Sequence, residues 1–370
     1  MTTISSRLAL AASLLSLVAL SACGGDPAST EKTATSDAAT SSSAASDTTA
    51  ASAGDAASAP GTWQAATAGQ VLDVTLGDLH PTQAALGYDQ IYYKLGRYEA
   101  DMTKEFDDFC ADEGLTGLAS SSTTSTLTDA TSYTCTVTDT TQRDTSVLNP
   151  VVIGPNGDTL YLTDGHHGSS TYYEVANGGP TVHVHVVVKD NLSAYSGSTF
   201  WAEMQNRGYT RLKDANGVAI TADQLPTALG LTHGMQNDVY RSLVYFTRDV
   251  GYSKPTPSTD FLEFYWADWL RTTFPLTGYT LTKAGTTDPD PATADTGYLN
   301  AVWNASTMMV ASTDGEISGL TGAQLGRLAQ INSGKAYTKG TFGDLSKAIT
   351  ASKPGKIAYA LDYKTRHGIQ

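Results

Sequence analysis

The sequence predicts an α+β fold, in which a small α/β unit is followed by a mostly helical region. Short runs rich in β-branched residues, such as Val151-Val152-Ile153, lie before residue 195. After residue 221, apolar and aromatic residues recur instead at helical spacing. We place roughly the first sixty residues outside the fold, because an apolar leader there is followed by a low-complexity stretch.

The amino terminus, residues 1–22, resembles a bacterial lipoprotein signal peptide. Arg7 supplies a charged start, and the apolar run Leu8 to Leu20 is too short to span a bilayer. Leu20-Ser21-Ala22-Cys23 matches a lipobox, which implies cleavage before Cys23 and acylation of its thiol; the alternative is an ordinary secretory signal with an incidental cysteine. By analogy with lipoprotein sorting, Gly24 favours an outer-membrane anchor facing the periplasm.

Residues 23–60 are predicted to be a flexible linker behind this anchor, since they consist largely of Ala, Ser, Thr, Gly and Asp. In an oxidising periplasm, Cys110 and Cys135 most simply form one disulfide; two buried thiols are the alternative. The net charge of −14 and the lack of a Lys/Arg cluster argue against tight nucleic-acid binding.

The predicted elements define an α/β domain at residues 61–195 and a helical region packed on it at residues 196–370. Strands are predicted at 71–76, 151–153, 159–163 and 181–189, with a polar loop at 77–83. Helices are predicted at 88–112, 169–176, 198–207, 238–250, 258–273, 293–311, 321–331 and 345–351.

The candidate site is the strand-to-helix junction Asp164-Gly165-His166-His167. Free backbone N–H groups and the positive end of a helix dipole converge at such a junction, which favours an anion. Imidazoles beside a carboxylate also suit a phosphate, a proton in transit or a divalent metal ion. Structural roles for both histidines are the alternative. His183 and His185 share a strand face at a spacing that metal sites use, but we interpret that face as a half-exposed surface.

The chain resembles the ParB-like nuclease family, a branch of the ParB/sulfiredoxin fold. Four blocks between Val71 and Arg271 carry the resemblance. They are Leu79-His80-Pro81-Thr82-Gln83 with Gly87-Tyr88, Asn149-Pro150-Val151-Val152, Tyr161-Leu162-Thr163-Asp164-Gly165-His166-His167, and Tyr240-Arg241-Ser242-Leu243 with Phe264-Tyr265-Trp266-Ala267-Asp268-Trp269.

The resemblance implies that the junction from Asp164 to Gly168 holds a phosphate, as it does in ParB and sulfiredoxin proteins. The chain has neither the arginine-rich box of ParB nor the catalytic cysteine of sulfiredoxin at this junction. The resemblance therefore implies a fold and a phosphate-binding junction, rather than nucleotide switching or sulfinic-acid reduction.

We expect an envelope lipoprotein that binds a phosphate-bearing or other anionic ligand, a nucleotide included. In a phosphodiester-hydrolysing version, His166 or His167 is the general base or a metal ligand, and Asp164 orients the imidazole. The other residues expected to bind the ligand are Gly165, Gly168, Ser169, His80, Pro81, Thr82, Gln83 and Arg241.

The alternative is a non-catalytic envelope module for binding or scaffolding. Arg241 either closes the site or pairs with an acid, and both roles stay open. We interpret Glu263 and Asp268 as part of a solvated helix face. The discriminating observation is whether His166, His167 and Asp164 converge on an open pocket or are buried in hydrogen bonds. The sequence indicates no oligomeric state.

Overall fold

A computed structural model describes residues 62–285 and 295–369, which belong to one compact unit. The predicted signal peptide, the acylated Cys23 and the linker lie outside the described residues. The division of the unit at residue 195 stays a prediction. None of the described helices is both long and apolar enough to span a membrane.

A five-stranded mixed sheet forms the α/β part of the fold. The strands of the described chain are β1 (Val71–Thr75), β2 (Leu79–Pro81), β3 (Ala85–Leu86), β4 (Leu118–Ser120), β5 (Thr134–Cys135), β6 (Asn149–Ile153), β7 (Leu160–Leu162), β8 (His183–Asn191) and β9 (Gln236–Asn237). The main sheet has the order β1-β8-β6-β7-β2, and its β1–β8 and β6–β7 pairs are antiparallel. β3 pairs with β9, and β4 with β5.

The helices pack around this sheet, most of them in one large hydrophobic core, whereas Phe200 and Met204 of the fourth helix belong to a second, smaller cluster with Val152 and Leu192. They are α1 (Tyr88–Ala100), α2 (Thr103–Asp112), α3 (His166–Glu174), α4 (Gly197–Asn206), α5 (Val239–Thr247), α6 (Leu262–Thr273), α7 (Tyr298–Ala311), α8 (Gly340–Leu345) and α9 (Lys356–Arg366). α1 contacts α3, α5 and α9, so helices from both ends of the unit share the core. The predicted α+β class is confirmed.

Local patterns predicted several elements correctly. β6 and β7 form the expected hairpin, and the valines of β8 at 184, 186 and 188 are buried on one face, as strand alternation requires. The predicted disulfide is also confirmed, because Cys110 and Cys135 are bonded with their Cα atoms 5.6 Å apart.

The single helix predicted over 88–112 is wrong, because the chain breaks between α1 and α2. The Asp101 carboxylate accepts hydrogen bonds from the backbone N–H and the hydroxyl of Thr103, and such local bonds compete with helix continuation. The loop predicted at 77–83 is also partly wrong, since it contains β2. β2 pairs with β7 in parallel, an interaction between distant segments.

The end of the chain departs most from the prediction. Residues 321–330 form turns, bends and an isolated β-bridge, not an α-helix, and Gly326 adopts a left-handed φ of 64° that a right-handed helix does not accommodate. The last helix is α9, not a segment at 345–351. It begins directly after Pro354-Gly355, because the residue before a proline is disfavoured in helical geometry.

Candidate functional site

Two parallel strands end at the same edge of the main sheet and bring the predicted site together. Pro81 of β2 pairs with Leu162 of β7, so Thr82 and Gln83 emerge beside the junction that follows β7. α3 begins at His166, three residues earlier than predicted. Both histidines therefore lie in the first turn of the helix, not in the loop before it.

Gly165 is the residue that allows this sharp entry into α3. It has a left-handed φ of 83°, and a Cβ atom at this position would lie 2.0 Å from the Asn149 side-chain oxygen. No side chain caps the helix, so the backbone N–H groups of its first turn lack partners within the helix. Asp164 is exposed and accepts a hydrogen bond from the Gly165 N–H, at 2.7 Å.

Both histidines use Nε2 as a hydrogen-bond acceptor. The Thr82 backbone N–H donates to His166 Nε2 at 3.1 Å, and the Gly87 backbone N–H donates to His167 Nε2 at 2.9 Å. A neutral imidazole whose Nε2 accepts carries its proton on Nδ1. The lone pairs that would take a proton or bind a metal ion at Nε2 are thus occupied.

Burial keeps both imidazoles neutral near pH 7. Burial lowers the pKa of His166 to about 4, although the nearby Asp164 carboxylate partly opposes this shift. Burial also lowers the pKa of His167 well below its usual value, and the neighbouring charge of Arg241 adds to that effect. Neither histidine is a surface group at the mouth of a pocket.

The four other residues predicted to bind the ligand from the sheet side, at positions 80–83, do not all reach the site. His80 lies within β2, with its ring centroid 5.9 Å from that of Tyr161, and burial lowers its pKa. Pro81 is buried in the same strand, and Thr82 donates its hydroxyl proton to the Leu162 carbonyl. Only Gln83 of this group lines the cleft described next, and its amide donates to the Ala85 carbonyl.

Gly168 and Ser169 lie in the first turns of α3. Gly168 is half-buried, whereas Ser169 is buried and its hydroxyl accepts a hydrogen bond from the Asn149 side chain at 3.3 Å. The backbone N–H of Ser169 donates to the Gly165 carbonyl. The hydroxyl and the backbone N–H of Ser169 therefore make hydrogen bonds within the junction, although the sequence predicted that Ser169 binds the ligand.

A small cleft of about 50 Å³ separates the junction from the helical region. We call it the junction cleft. Asp164, His166 and His167 line one side of it, and Arg241, Lys254 and Glu263 line the other.

Arg241 is oriented by the start of α5. The Asp238 carboxylate caps this helix by accepting from the Arg241 backbone N–H at 3.0 Å. The guanidinium is buried, with one terminal nitrogen donating to Gln90 and the other 3.9 Å from Glu263. Its Nε has no hydrogen-bond partner within the described residues.

Glu263 lies among three cations. It pairs with Arg248 and lies 3.8 Å from Lys254 and 3.9 Å from Arg241. Burial alone would raise the pKa of Glu263, but the three cations outweigh burial and lower it to about 2. The cluster of these four residues, the Glu263 cluster, therefore contains two more positive than negative charges.

The family described as "Putative ParB-like nuclease" matches residues 72–272, more than half of the chain. The chain belongs to this family. No curated protein matches it. The crystal structure of protein Atu1540 from Agrobacterium tumefaciens is similar at 22% identity, covering 66% of this chain and 93% of its own, with a TM-score of 0.43.

In this ParB-like chain, sequence reasoning missed most of the helical side of the cleft. The interpretation of Glu263 as part of a solvated face is wrong, because only 7% of the residue is exposed. Arg241 and Arg248 are seven residues apart, a spacing that puts two side chains on one face of a continuous helix after two turns, although α5 ends at Thr247. That spacing, together with Glu263 on the next helix, is a signal that could have identified the cluster.

Among the described residues, carboxylates and imidazoles do not converge into a metal site, at the junction or away from it. Across residues 62–285 and 295–369, no group of three or more His, Cys, Asp or Glu side chains has an arrangement suited to a metal ion. His183 contacts Asp73 and His185 contacts Glu113, so the two strand histidines face different carboxylates.

Proposed function

We propose that this ParB-like chain binds a small ligand through a phosphate or similar anionic group in the junction cleft. The observation that carries the proposal is the buried, positively charged Arg241, which lines the cleft together with the uncapped start of α3. A helix start and a guanidinium together favour an anion. A cleft of about 50 Å³ admits such a group and leaves the rest of the ligand outside.

The acidic residues at the rim of the cleft weaken this attraction only modestly. Asp164 and Asp260 are exposed, so water screens their charges. Asp260 also pairs with Lys189 at 3.3 Å. Arg241 is more deeply buried than these two carboxylates, so its charge is less screened by water.

The hydrogen bonds of the histidines support binding without catalysis. A general base needs a free lone pair within reach of the proton that it takes. Nε2 of His166 and Nε2 of His167 instead accept backbone N–H groups. The phosphodiester-hydrolysing alternative requires one of these hydrogen bonds to open. It would be favoured over the proposal if the wild type hydrolysed bis(4-nitrophenyl) phosphate and His166→Gln did not.

Titration calorimetry with inorganic phosphate tests the binding site. Lys254→Met removes one cation from the edge of the cleft and should weaken phosphate binding about tenfold, the equivalent of one charge-assisted contact. Lys213→Met is the matched control, because that lysine is similarly exposed but pairs with Asp268 outside the cleft. Equal affinities in both variants, or no binding by the wild type, would contradict the proposal.

Glu263→Gln provides a second test with opposite effects on two properties. The variant removes the only carboxylate of the Glu263 cluster, so phosphate affinity should rise. Stability should fall by roughly 3 to 5 kcal/mol, because breaking a buried ion pair leaves charges uncompensated. Lower phosphate affinity in a folded Glu263→Gln protein would count against an anion site.

We also propose that the chain acts in the bacterial envelope as an outer-membrane lipoprotein facing the periplasm. The lipobox at Leu20-Ser21-Ala22-Cys23 supports this location. The disulfide between Cys110 and Cys135 agrees with an oxidising compartment.

A further inference from the structure

A second and larger cleft lies on a different part of the surface and shares no lining residue with the junction cleft. Its volume is about 680 Å³, which is in the range of sites for small organic molecules. Side chains from α1, the end of α5, α8 and the start of α9 line it. We call it the α9 cleft.

The α9 cleft is basic in an acidic protein. The whole chain has a net charge of −14, yet five basic and only two acidic side chains line this cleft. These charged residues are Arg97, Lys104, Arg248, Lys353, Lys356, Asp101 and Asp344. Lys353 and Lys356 have no ion-pair partner in the described part of the chain, so their charges are available to a ligand.

Lys356 holds its ammonium group in a defined place. The nitrogen lies 5.0 Å from the ring centroid of Tyr245 and 5.8 Å from that of Tyr93, which are cation–π distances. Lys356 is exposed as a residue, but partial burial of its nitrogen lowers the pKa of Lys356, and so does the charge of Arg248. An anion that binds beside Lys356 would offset the electrostatic repulsion between its ammonium group and the neighbouring positive charges.

The same cleft offers an aromatic wall. The Tyr93 ring is 6.1 Å from that of Tyr245 and 6.3 Å from that of Tyr359, and Phe246 and Leu345 also line the cleft. Aromatic rings pack against each other at such distances in offset or tilted arrangements. The cleft therefore combines surfaces for a ring and for a negative charge.

We infer that the α9 cleft binds a small organic anion that carries an aromatic ring, with the anionic group at Lys356 and Lys353 and the ring against the tyrosines. The inference does not depend on the junction cleft, because the two clefts share no lining residue, although Arg248 of the α9 cleft also pairs with Glu263 of the junction cleft. Phosphate and carboxylate head groups share the required chemistry, and the experiment separates them.

Titration calorimetry on the full chain tests the inference with phenyl phosphate and benzoate as probes. Wild type should bind at least one probe, and benzylamine, with a ring but a positive charge, should not bind. Lys356→Met keeps the length of the side chain over the two rings but removes the charge, so it should weaken binding about tenfold or more. Lys339→Met is the matched control, an exposed lysine outside the cleft, and should bind as wild type does.

Three results would overturn the inference. They are no binding of either probe by the wild type, equal binding by Lys356→Met and Lys339→Met, or binding that Lys254→Met abolishes while Lys356→Met leaves it intact. The last result would place the probe in the junction cleft. A Lys353→Met variant should show a smaller loss in the same direction, because within the described residues only Lys356 of these two lysines has cation–π contacts that fix its position. It provides a second reading if Lys356→Met fails to fold.

Discussion

His166 shows how a single buried side chain can tie two strands together. Its Nε2 accepts the backbone N–H of Thr82, which follows β2, while the histidine itself follows β7. An unpartnered N–H at this depth would cost roughly 1 to 3 kcal/mol. The imidazole thus contributes to stability at the place where the sequence suggested chemistry.

The buried, neutral state of His166 predicts a pH dependence of stability. Its pKa is about 4 in the folded chain and about 6.5 in an unfolded one. Between these values the unfolded chain binds more protons, so the free energy of unfolding contributed by His166 is complete above about pH 6.5 and decreases as pH falls towards 4. The total decrease should be roughly 3 kcal/mol.

Urea unfolding of wild type and His166→Gln across this range isolates the effect. The glutamine carbonyl can still accept the Thr82 N–H, but the side chain no longer titrates. Comparison with a variant is needed because other groups titrate in the same range. Burial raises the pKa of Glu105 to about 7, so the contribution of Glu105 to the free energy of unfolding decreases as pH rises. Parallel pH profiles in the two proteins would contradict a buried neutral histidine.

At the scale of elements, the contact between α1 and α9 depends on a glycine. Gly96 lies within α1, and a Cβ atom added there would be 2.6 Å from the Tyr359 carbonyl oxygen of α9. Gly168 in α3 offers a comparison, since its added Cβ would meet only Asp112, at 3.7 Å. One glycine is required by packing, and the other is not.

Gly96→Ala should therefore destabilise the protein by about 1 to 3 kcal/mol through overpacking. Gly168→Ala should instead be neutral or stabilising by up to about 1 kcal/mol, because alanine has the higher helix propensity. Thermal and urea unfolding of both variants test the pair. Equal effects would mean that α9 does not pack closely against α1.

For the molecule as a whole, the disulfide joins residues that are 25 positions apart, across the loop that follows α2. Closing a loop of this size should stabilise the fold by roughly 3 kcal/mol in the chain-entropy model. Reduction should lower the urea midpoint of wild type and leave that of a Cys110→Ala/Cys135→Ala variant unchanged. Identical midpoints for oxidised and reduced wild type would show that the bond adds no stability.

The proposed anchor makes a prediction about the whole chain in the cell. Cys23→Ala should move the protein from the membrane fraction to the soluble fraction, because the acylated thiol is lost. The Cys110→Ala/Cys135→Ala variant is the control and should remain with the membrane. Membrane association that survives Cys23→Ala would argue against lipidation at this residue.

The sequence by itself determined the fold class, the β6–β7 hairpin, the start of β1 and the position of the junction after β7. These features follow from alternation, turn residues and helical spacing, which act between near neighbours in the chain. The break after α1 was also encoded locally, in Asp101 and Thr103, but the strong periodicity of the flanking helices concealed it.

Only the tertiary structure decided what the junction residues contact. The partners of His166 and His167 lie 84 and 80 residues away, and the cation partners of Glu263 come from α5 and the segment after it. β2 is a strand because β7 lies beside it, not because its three residues have a strong strand pattern. Such contacts depend on packing between distant segments, and residues far apart in sequence carry no local pattern that specifies them.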